Sequence, residues 1–257
     1  MIPRERNQDG EPKRTRSQAV TTVVAMGASM GGAEALEKVL SGLSADCQPV
    51  IIVQHIPGKL EANLAKRLQK SCAAQVRVAE NGSLLRPGLV LVAPGGAHTV
   101  LCRRGADFYV AVKDGPQFHY HKPSVDVLFR SVARHAGANA VGVLLTGMGK
   151  DGAAGLKLMR DAGATTIAQD ESTSLIFGMP KSAIELGAAA FVLPVEKIAG
   201  KITAAASGAK RRARPVSAER NLDVAVPGIP PGTLKPLWMA NVLYKVSYEG
   251  KRKVLFN

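Results

Sequence analysis

The sequence predicts an α/β fold with a doubly wound, mostly parallel sheet, helices on both faces and an antiparallel hairpin region. Two observations support this prediction. Apolar runs of strand length recur along the chain, as in Pro49–Gln54 and Ala140–Thr146. Segments whose apolar residues recur with a 3.6-residue period separate them. Nearly continuous apolar strands are typical of parallel sheets that are covered on both faces, and the alternation with helices is typical of the α/β class.

The first half of the chain begins with a strand at Val23–Met26. Apolar residues at helical spacing follow and predict a helix (Ala35, Leu36, Val39, Leu40 and Leu43). The strand Pro49–Gln54 then precedes a helix marked by Leu60, Leu64 and Leu68. Between Val76 and Val112 turn signals separate short apolar runs, at Asn81-Gly82, Pro87-Gly88 and Pro94-Gly95-Gly96. This pattern predicts an antiparallel hairpin region that adds to the sheet.

The second half continues the alternation. Ser124 is placed to cap a helix that carries Val125, Leu128, Phe129 and Val132. The strand Ala140–Thr146 follows it. The remaining pattern predicts helix, strand, helix, strand and helix, through Leu156–Met159, Thr165–Gln169, Lys181–Leu186, Ala190–Leu193 and Val195–Ile202.

Composition predicts one domain between two tails. The chain has 257 residues, 46% of them hydrophobic, which is enough to bury a sizeable core. The regular alternation covers residues 21–202, which we assign to the domain. Residues 1–20 are predicted to be a charged flexible tail. Residues 203–257 are predicted to be a basic linker and C-terminal tail, in which the alternating stretches 242–248 and 253–256 could pair as a small hairpin.

The net charge of +14 is concentrated in the tails. Residues 1–20 carry five Lys/Arg and three Asp/Glu, and residues 201–257 carry eleven and three, which leaves +4 for residues 21–200. The densest basic run, 210–214, lies in the predicted linker, where it is interpreted as a solvated tail or as an attraction to acidic partners. Aromatic residues are not interleaved with the basic ones, so the pattern does not favour nucleic-acid binding.

The sequence also predicts a cytoplasmic protein that is not integral to a membrane. It has no apolar run of about 18 residues and no apolar signal-peptide centre behind the charged N-terminus. Cys47, Cys72 and Cys102 are widely spaced and predict reduced thiols. His119 and His121 flank Tyr120 without a carboxylate or cysteine at ligand spacing, so no metal site is predicted.

Three polar residues stand at the carboxyl ends of predicted strands. Ser29 follows the first strand, His55 follows the second, and Asp151 follows Ala140–Thr146 after a glycine-rich turn. Reactive groups gather at this edge of an open α/β sheet. A nucleophile, a general base and a carboxylate that orients the base are the groups that serine hydrolysis uses.

The segment GASMGG, residues 27–32, allows three interpretations. It fits G-x-S-x-G, in which a tight strand-to-helix turn exposes Ser29 for attack. Because the following helix directs free N–H groups and a partial positive charge at the same place, it could also bind a phosphate, or it could be only a tight turn. The middle glycine of a dinucleotide loop and the Lys-Ser/Thr of a Walker loop are both missing. The order Ser29, His55, Asp151 also differs from that of the α/β-hydrolases.

The segment from about Val23 to Leu193 resembles the catalytic domain of CheB-type protein-glutamate methylesterases, which demethylate chemotaxis receptors. The resemblance depends on a series of motifs in order: GASMGG (27–32), QHIP (54–57), LVAPGGAH (91–98), HKPSVDVLFRSVA (121–133), GVLLTGMGKDGAAGL (142–156), TIAQDE (166–171) and FGMP (177–180). Each motif alone is weak, but the series is specific.

The resemblance implies that Ser29 is the nucleophile, His55 the base and Asp151 the third member of a triad, the same residues that the strand-end argument selects. It implies an oxyanion hole formed by the backbone N–H groups of Met30 and Met148. The implied reaction is hydrolysis of glutamate methyl esters on the cytoplasmic domains of chemoreceptors, with release of methanol, and deamidation of receptor glutamines by the same steps. No cofactor or metal is implied. The implied partners are these receptors and separate signalling proteins.

The sequence departs from the family pattern at several positions. Met30 stands where the family usually has Thr, Leu60 where it has an aromatic residue, and Lys122 where it has Arg, which alone can bind bidentately. Only about 20 residues precede the first strand, so we expect a stand-alone catalytic domain without the family's receiver domain. His98 lies in a loop that the family places near the substrate cleft, where it is either a substrate contact or a structural residue.

Two functions from different classes stay open on the sequence. The first is an active serine-type methylesterase. The second is a catalytically silent relative that acts as a chemosensory signalling or binding module. A nucleotide-binding protein is disfavoured by the missing glycine and acidic positions.

Overall fold

The computed structural model describes residues 20–56 and 58–210. Most of the predicted N-terminal tail, the basic residues 211–214 and the predicted hairpin of the C-terminal tail lie outside the described residues.

The central feature is a seven-stranded sheet in which every pairing is parallel. Its strands are β1 (Val23–Ala28), β2 (Val50–Gln54), β3 (Gln75–Val78), β4 (Leu89–Val92), β7 (Ala140–Leu144), β8 (Thr165–Gln169) and β9 (Phe191–Leu193). The strand order is β3-β4-β2-β1-β7-β8-β9. The predicted doubly wound sheet is confirmed.

The segment between Val76 and Val112 divides into two parts. The antiparallel hairpin is present as β5 (His98–Arg104) and β6 (Asp107–Lys113), which pair with each other in a separate two-stranded sheet. It does not extend the main sheet as the sequence analysis expected. The preceding strands β3 and β4 are instead parallel members of the main sheet. The Ser131 hydroxyl accepts a hydrogen bond from Leu101 N at 2.8 Å and ties the hairpin to a helix.

Six α-helices cover the two faces of the sheet in the described residues: α1 (Gly32–Ser41), α2 (Glu61–Ser71), α3 (Val125–His135), α4 (Ala153–Asp161), α5 (Met179–Glu185) and α6 (Val195–Lys210). The residues of β1 alternate between two cores. Val23 and Ala25 belong to the core under α3, α4 and α5, whereas Val24 and Met26 belong to the core under α1, α2 and α6. This alternation explains why the strands are apolar at every position.

The last helix is longer than the sequence analysis predicted. It continues to Lys210 instead of ending at Ile202, so residues 203–210, which were assigned to the linker, are helical. Alanine, the strongest helix former, occupies three successive positions after Thr203. Ile202 and Ala206 are buried, and this packing stabilises the extra turns.

The sheet order places β1 between β2 and β7. After β1 the chain adds strands on one side of it, beginning with β2, and later crosses to its other side with β7. The topological switch point of the sheet therefore lies beside β1. Open α/β sheets bind ligands at such a switch point, outside the carboxyl ends of the strands.

Gly27 allows α3 to pack directly on β1. A Cβ atom at this position would lie 2.2 Å from Val125 Cγ1 and 3.1 Å from Leu144 Cδ1. We predict that Gly27→Ala lowers the free energy of unfolding by about 1–3 kcal/mol, because the first turn of α3 must move or adopt strained rotamers. Urea denaturation measures this as a lower midpoint with an unchanged slope.

Gly200 provides the matched control. It lies within α6, and a Cβ there would meet no atom within 4 Å. Gly200→Ala should therefore raise the free energy of unfolding by about 0.5–1 kcal/mol, because it removes backbone freedom from the unfolded chain. Equal effects of the two substitutions would contradict the close contact of α3 with β1.

Candidate active site

Ser29 lies at the turn between β1 and α1. Its backbone N–H donates to Thr146 O at 3.0 Å, and its carbonyl accepts from Gly32 N at 2.8 Å. Ser29 is half-buried, while the next residue, Met30, is 52% exposed. The turn therefore places the serine at the carboxyl edge of the sheet, directly before the N-terminus of a helix.

The two glycines of this turn meet different steric demands. Gly31 has φ of 76°, a left-handed conformation that L side chains rarely adopt. Gly32 has no room for a side chain, since a Cβ there would lie 2.1 Å from Gln54 Oε1. A Cβ at Gly31 would likewise lie 2.6 Å from Leu175 Cβ. Backbone conformation and close packing therefore account for glycine at both positions.

Thr146 fixes the serine turn to a neighbouring loop. Its hydroxyl oxygen lies 3.0 Å from Met30 O and accepts a hydrogen bond from Ile176 N at 2.9 Å. Its backbone N–H donates to Gln169 Oε1 at 2.8 Å. Thr146 and Gln169 have no role in the prediction from sequence, although both stand at strand ends and the rule that selects Ser29 applies to them equally.

His55 and Asp151 meet beside Ser29. His55 Nε2 lies 2.7 Å from Asp151 Oδ2, and the two side chains are only 7% and 1% exposed. His55 is fixed to the serine strand by its backbone N–H, which donates to Ala28 O at 3.0 Å. Gln54 Nε2 donates to Ser29 O at 2.7 Å. The structure thus pairs His55 with Asp151 and holds the strand end of His55 beside the turn that carries Ser29.

Asp151 is embedded in the N-terminus of α3. Its carboxylate accepts hydrogen bonds from Ser124 Oγ at 2.8 Å, Val125 N at 2.8 Å and Asp126 N at 3.1 Å. Burial raises the pKa of Asp151, but the hydrogen bond and charge of His55 together with the two backbone N–H groups hold that pKa below its ordinary value. The side chain is therefore an ionised acceptor at neutral pH.

The ionised Asp151 determines the tautomer of His55. A carboxylate can only accept, so Nε2 of the neutral imidazole carries the proton and Nδ1 carries the lone pair. Nδ1 is buried and has no hydrogen-bond partner among the described residues. It is the nitrogen that is available to take a proton.

A tight hairpin lies over the histidine. Phe118 and His121 exchange both backbone hydrogen bonds, at 3.0 and 2.9 Å, and the two residues between them have positive φ, 50° at His119 and 66° at Tyr120. Each costs about 1–2 kcal/mol of strain for a residue with a side chain. The His121 ring stacks on the His55 ring, while Tyr120 is 92% exposed.

The other conspicuous polar residues are structural. His98 is buried, with Nε2 2.9 Å from Pro116 O, and its Nδ1 accepts from Ser124 N at 3.2 Å. These contacts support the structural role of His98 over the role of a substrate contact. Ser124 caps α3 as predicted, accepting from Val127 N. Asp126 is fully buried in the first turn and accepts from Gly155 N.

Among the described residues, no three His, Cys, Asp or Glu side chains are grouped closely enough to hold a metal ion.

Two backbone N–H groups near Ser29 are free. Within the part of the chain that the structure describes, neither Met30 N nor Met148 N donates a hydrogen bond. Gly147 joins their turns to the serine, since a Cβ at Gly147 would lie 2.7 Å from Ser29 Cβ. Met148 itself is 67% exposed. The arrangement leaves donors at the serine without internal acceptors.

The fold and this geometry define a doubly wound α/β protein with a buried His55–Asp151 pair beside the Ser29 turn at the topological switch point. The model of the CheB methylesterase family matches residues 24–202. The chain belongs to the CheB methylesterase family.

Curated relatives with the name protein-glutamate methylesterase/protein-glutamine glutaminase 2 include those of Dechloromonas aromatica, 53% identical over 74% of this chain, and Rhodospirillum rubrum, 52% identical over 74%. These alignments cover 53% and 52% of the two relatives, so the chain spans about half of their length. The crystal structure of the Thermotoga maritima CheB methylesterase catalytic domain is 35% identical and aligns with a TM-score of 0.69, over 70% of this chain and 96% of that one.

No helix in the described ranges has the length and hydropathy needed to span a bilayer.

The environment of Asp151 leads to a prediction about stability. Asp151→Ala leaves a hydroxyl, two backbone N–H groups and His55 Nε2 without their acceptor, and should lower the free energy of unfolding at pH 7 by about 3–5 kcal/mol. Asp151→Asn keeps one acceptor and should cost less. Chemical denaturation measures both.

The same carboxylate predicts a pH dependence. Because the pKa of Asp151 is lowered in the folded state, its contribution to stability is complete above the unfolded value, about pH 4, and is lost as the pH falls through the folded pKa. The stability difference between the parent and Asp151→Asn should therefore narrow below about pH 4. A difference that stays constant down to pH 3 would contradict this account.

Proposed function

We propose that this protein is a serine hydrolase that removes methyl groups from glutamate methyl esters in the cytoplasmic domains of chemoreceptors, and that it also deamidates receptor glutamines. The observation that carries the proposal is the 2.7 Å contact of His55 with the buried Asp151, next to Ser29 at the switch point of the sheet. Family membership and the names of the curated relatives support the substrate class.

In the proposed reaction, Ser29 Oγ attacks the ester carbonyl and gives its proton to Nδ1 of His55. Nδ1 is the base because Asp151 occupies Nε2. The hydroxyl of Ser29 makes no hydrogen bond within the described residues, and catalytic hydrogen bonds of substrate-free enzymes often form only in the complex. Asp151 holds the tautomer and stabilises the imidazolium that results.

The tetrahedral intermediate then breaks down. His55 protonates the departing methoxide, methanol leaves, and an acyl-enzyme remains on Ser29. Water, deprotonated by the same nitrogen, attacks this acyl-enzyme and releases glutamate. For a glutamine substrate the leaving group is ammonia and the steps are otherwise the same.

The oxyanion is proposed to bind the free N–H groups of Met30 and Met148. Both belong to turns that contact Ser29, and the N-terminus of α1 adds the partial positive charge of its dipole. Each donor is worth about 3 kcal/mol of barrier in comparable enzymes. The donors are backbone groups, so the side chains of both methionines are free to vary.

The receptor contacts involve residues in which this chain departs from the family pattern. Leu60 is 45% exposed. Lys122 donates to Asp114 Oδ1 at 2.8 Å and to Gly115 O at 3.1 Å, so its ammonium is bound within its own loop. The proposed partners are methylated receptors in the cytoplasm and separate signalling proteins. The presence of all three residue types of the proposed triad supports this function over the catalytically silent alternative.

We predict that Ser29→Ala lowers turnover by about 10⁴-fold or more, because it removes the attacking atom. The assay measures methanol released from a methylated receptor cytoplasmic domain by purified protein, with folding verified by circular dichroism. Ser41→Ala is the matched control, because that hydroxyl only donates to Lys38 O at the far end of α1. The proposal fails if the parent releases no methanol, or if folded Ser29→Ala releases it at the parent's rate.

Met30→Thr tests the assignment of the backbone donor. It introduces the residue that the family usually has, while the N–H stays in place. We predict that kcat changes by less than about fivefold, since the side chain of Met30 is exposed and only its backbone is needed. A gain of about 100-fold would show instead that the missing hydroxyl takes part in the reaction.

A further inference from the structure

The base of the proposed reaction has a second histidine against its ring. The ring centroids of His55 and His121 are 3.6 Å apart and the ring planes differ by 7°. Both nitrogen atoms of His55 direct their bonds in the plane of the ring, so the stack leaves the Asp151 contact and Nδ1 unobstructed. Rotation of the His55 ring about its Cβ–Cγ bond, by contrast, would drive it into His121.

Contacts of the hairpin hold His121 in this position. The two backbone hydrogen bonds between Phe118 and His121 close the hairpin. The Arg130 guanidinium on α3 lies 5.1 Å from the centre of the Phe118 ring, and His119 Nε2 lies 3.4 Å from the buried Asp126 Oδ2 on the same helix. The hairpin is therefore tied to the helix whose N-terminus binds Asp151.

We propose that His121 is a positioning residue for the reaction of Ser29. It acts through His55: its ring holds the imidazole in the plane in which Nε2 meets Asp151 and Nδ1 stays free, and its π face stabilises the imidazolium that forms during acyl transfer. This inference rests on the function proposed for the same site.

The charge of His121 is consistent with this role. The titratable groups that face it are His55, Asp151 and His119, and His119 in turn lies beside Asp126 on α3. Burial and the charge of His55 lower the pKa of His121, and the opposite effect of Asp151 does not overcome them. The ring is therefore neutral at neutral pH. A neutral aromatic ring attracts a stacked cation, whereas a protonated His121 would repel it.

The stack also argues against a metal site formed by the same histidines. A bound metal lies about 2.0–2.1 Å from each ligating nitrogen, in the plane of its ring. Two parallel rings 3.6 Å apart direct their lone pairs along separate parallel planes, so both cannot meet one ion in this arrangement.

The first test compares three folded variants in the methanol-release assay. His121→Ala removes the ring, and kcat should fall about 10- to 100-fold while KM changes less than threefold. His121→Phe restores a flat neutral ring and should return kcat to within about fivefold of the parent. His135→Ala, at the C-terminal end of α3, is the control and should match the parent.

Three results would overturn the inference: a kcat of His121→Ala within threefold of the parent, a rise in KM with kcat unchanged, or a His121→Phe variant as slow as His121→Ala. The second result would make His121 a substrate contact.

A second readout does not depend on activity. The ¹⁵N chemical shifts of the His55 imidazole report its tautomer. We expect a single Nε2–H tautomer in the parent and in His121→Phe, and an average of two tautomers in His121→Ala. If the parent is inactive but this pattern appears, the proposed reaction fails, while the orientation of the His55 ring by His121 stands. If His121→Ala keeps the single tautomer, the positioning role fails even when the parent is active.

Discussion

The Asp151 carboxylate accepts four hydrogen bonds inside the protein, from Ser124 Oγ, two backbone N–H groups of the first turn of α3, and His55 Nε2. This single buried charge therefore accepts hydrogen bonds from the free N–H groups at the N-terminus of α3 and also orients the His55 ring. Since α3 packs on β1 through the contact of Gly27 with Val125, the strand that leads into the Ser29 turn is held by the same helix. A displacement of the carboxylate would therefore affect α3, the base and the nucleophile together.

Three residues with side chains have positive φ in the part of the chain that the structure describes: Lys59, His119 and Tyr120. Such conformations persist only where neighbouring contacts impose them. For His119 and Tyr120, the paired backbone hydrogen bonds of Phe118 with His121 supply those contacts. The strain in this hairpin thus accompanies the placement of the ring that stacks on His55.

Membership of the CheB methylesterase family is consistent with the division between buried and exposed positions. The residues that hold the serine turn and the carboxylate are buried and match the family motifs. Two of the departures from the pattern, Met30 and Leu60, are exposed side chains, and the third, Lys122, binds within its own loop. Variation of this kind changes what approaches the site while it leaves the proposed backbone donors and the His55–Asp151 contact in place. Under the proposed function, recognition of the receptor is therefore the property in which this chain can differ most from its relatives.

The sequence by itself determined the parallel sheet, its covering helices and the choice of Ser29, His55 and Asp151, because periodicity and position at strand ends are local properties of the chain. It placed Ser124 correctly as a helix cap for the same reason. It ended α6 too early, since the burial of Ala206 is a tertiary contact, and it attached the β5–β6 hairpin to the sheet, since strand pairing depends on partners distant in the chain. Only the tertiary structure revealed the His121 stack and the free Nδ1 of His55. Both depend on the distance and angle between side chains of separate loops, for which linear spacing has no signal.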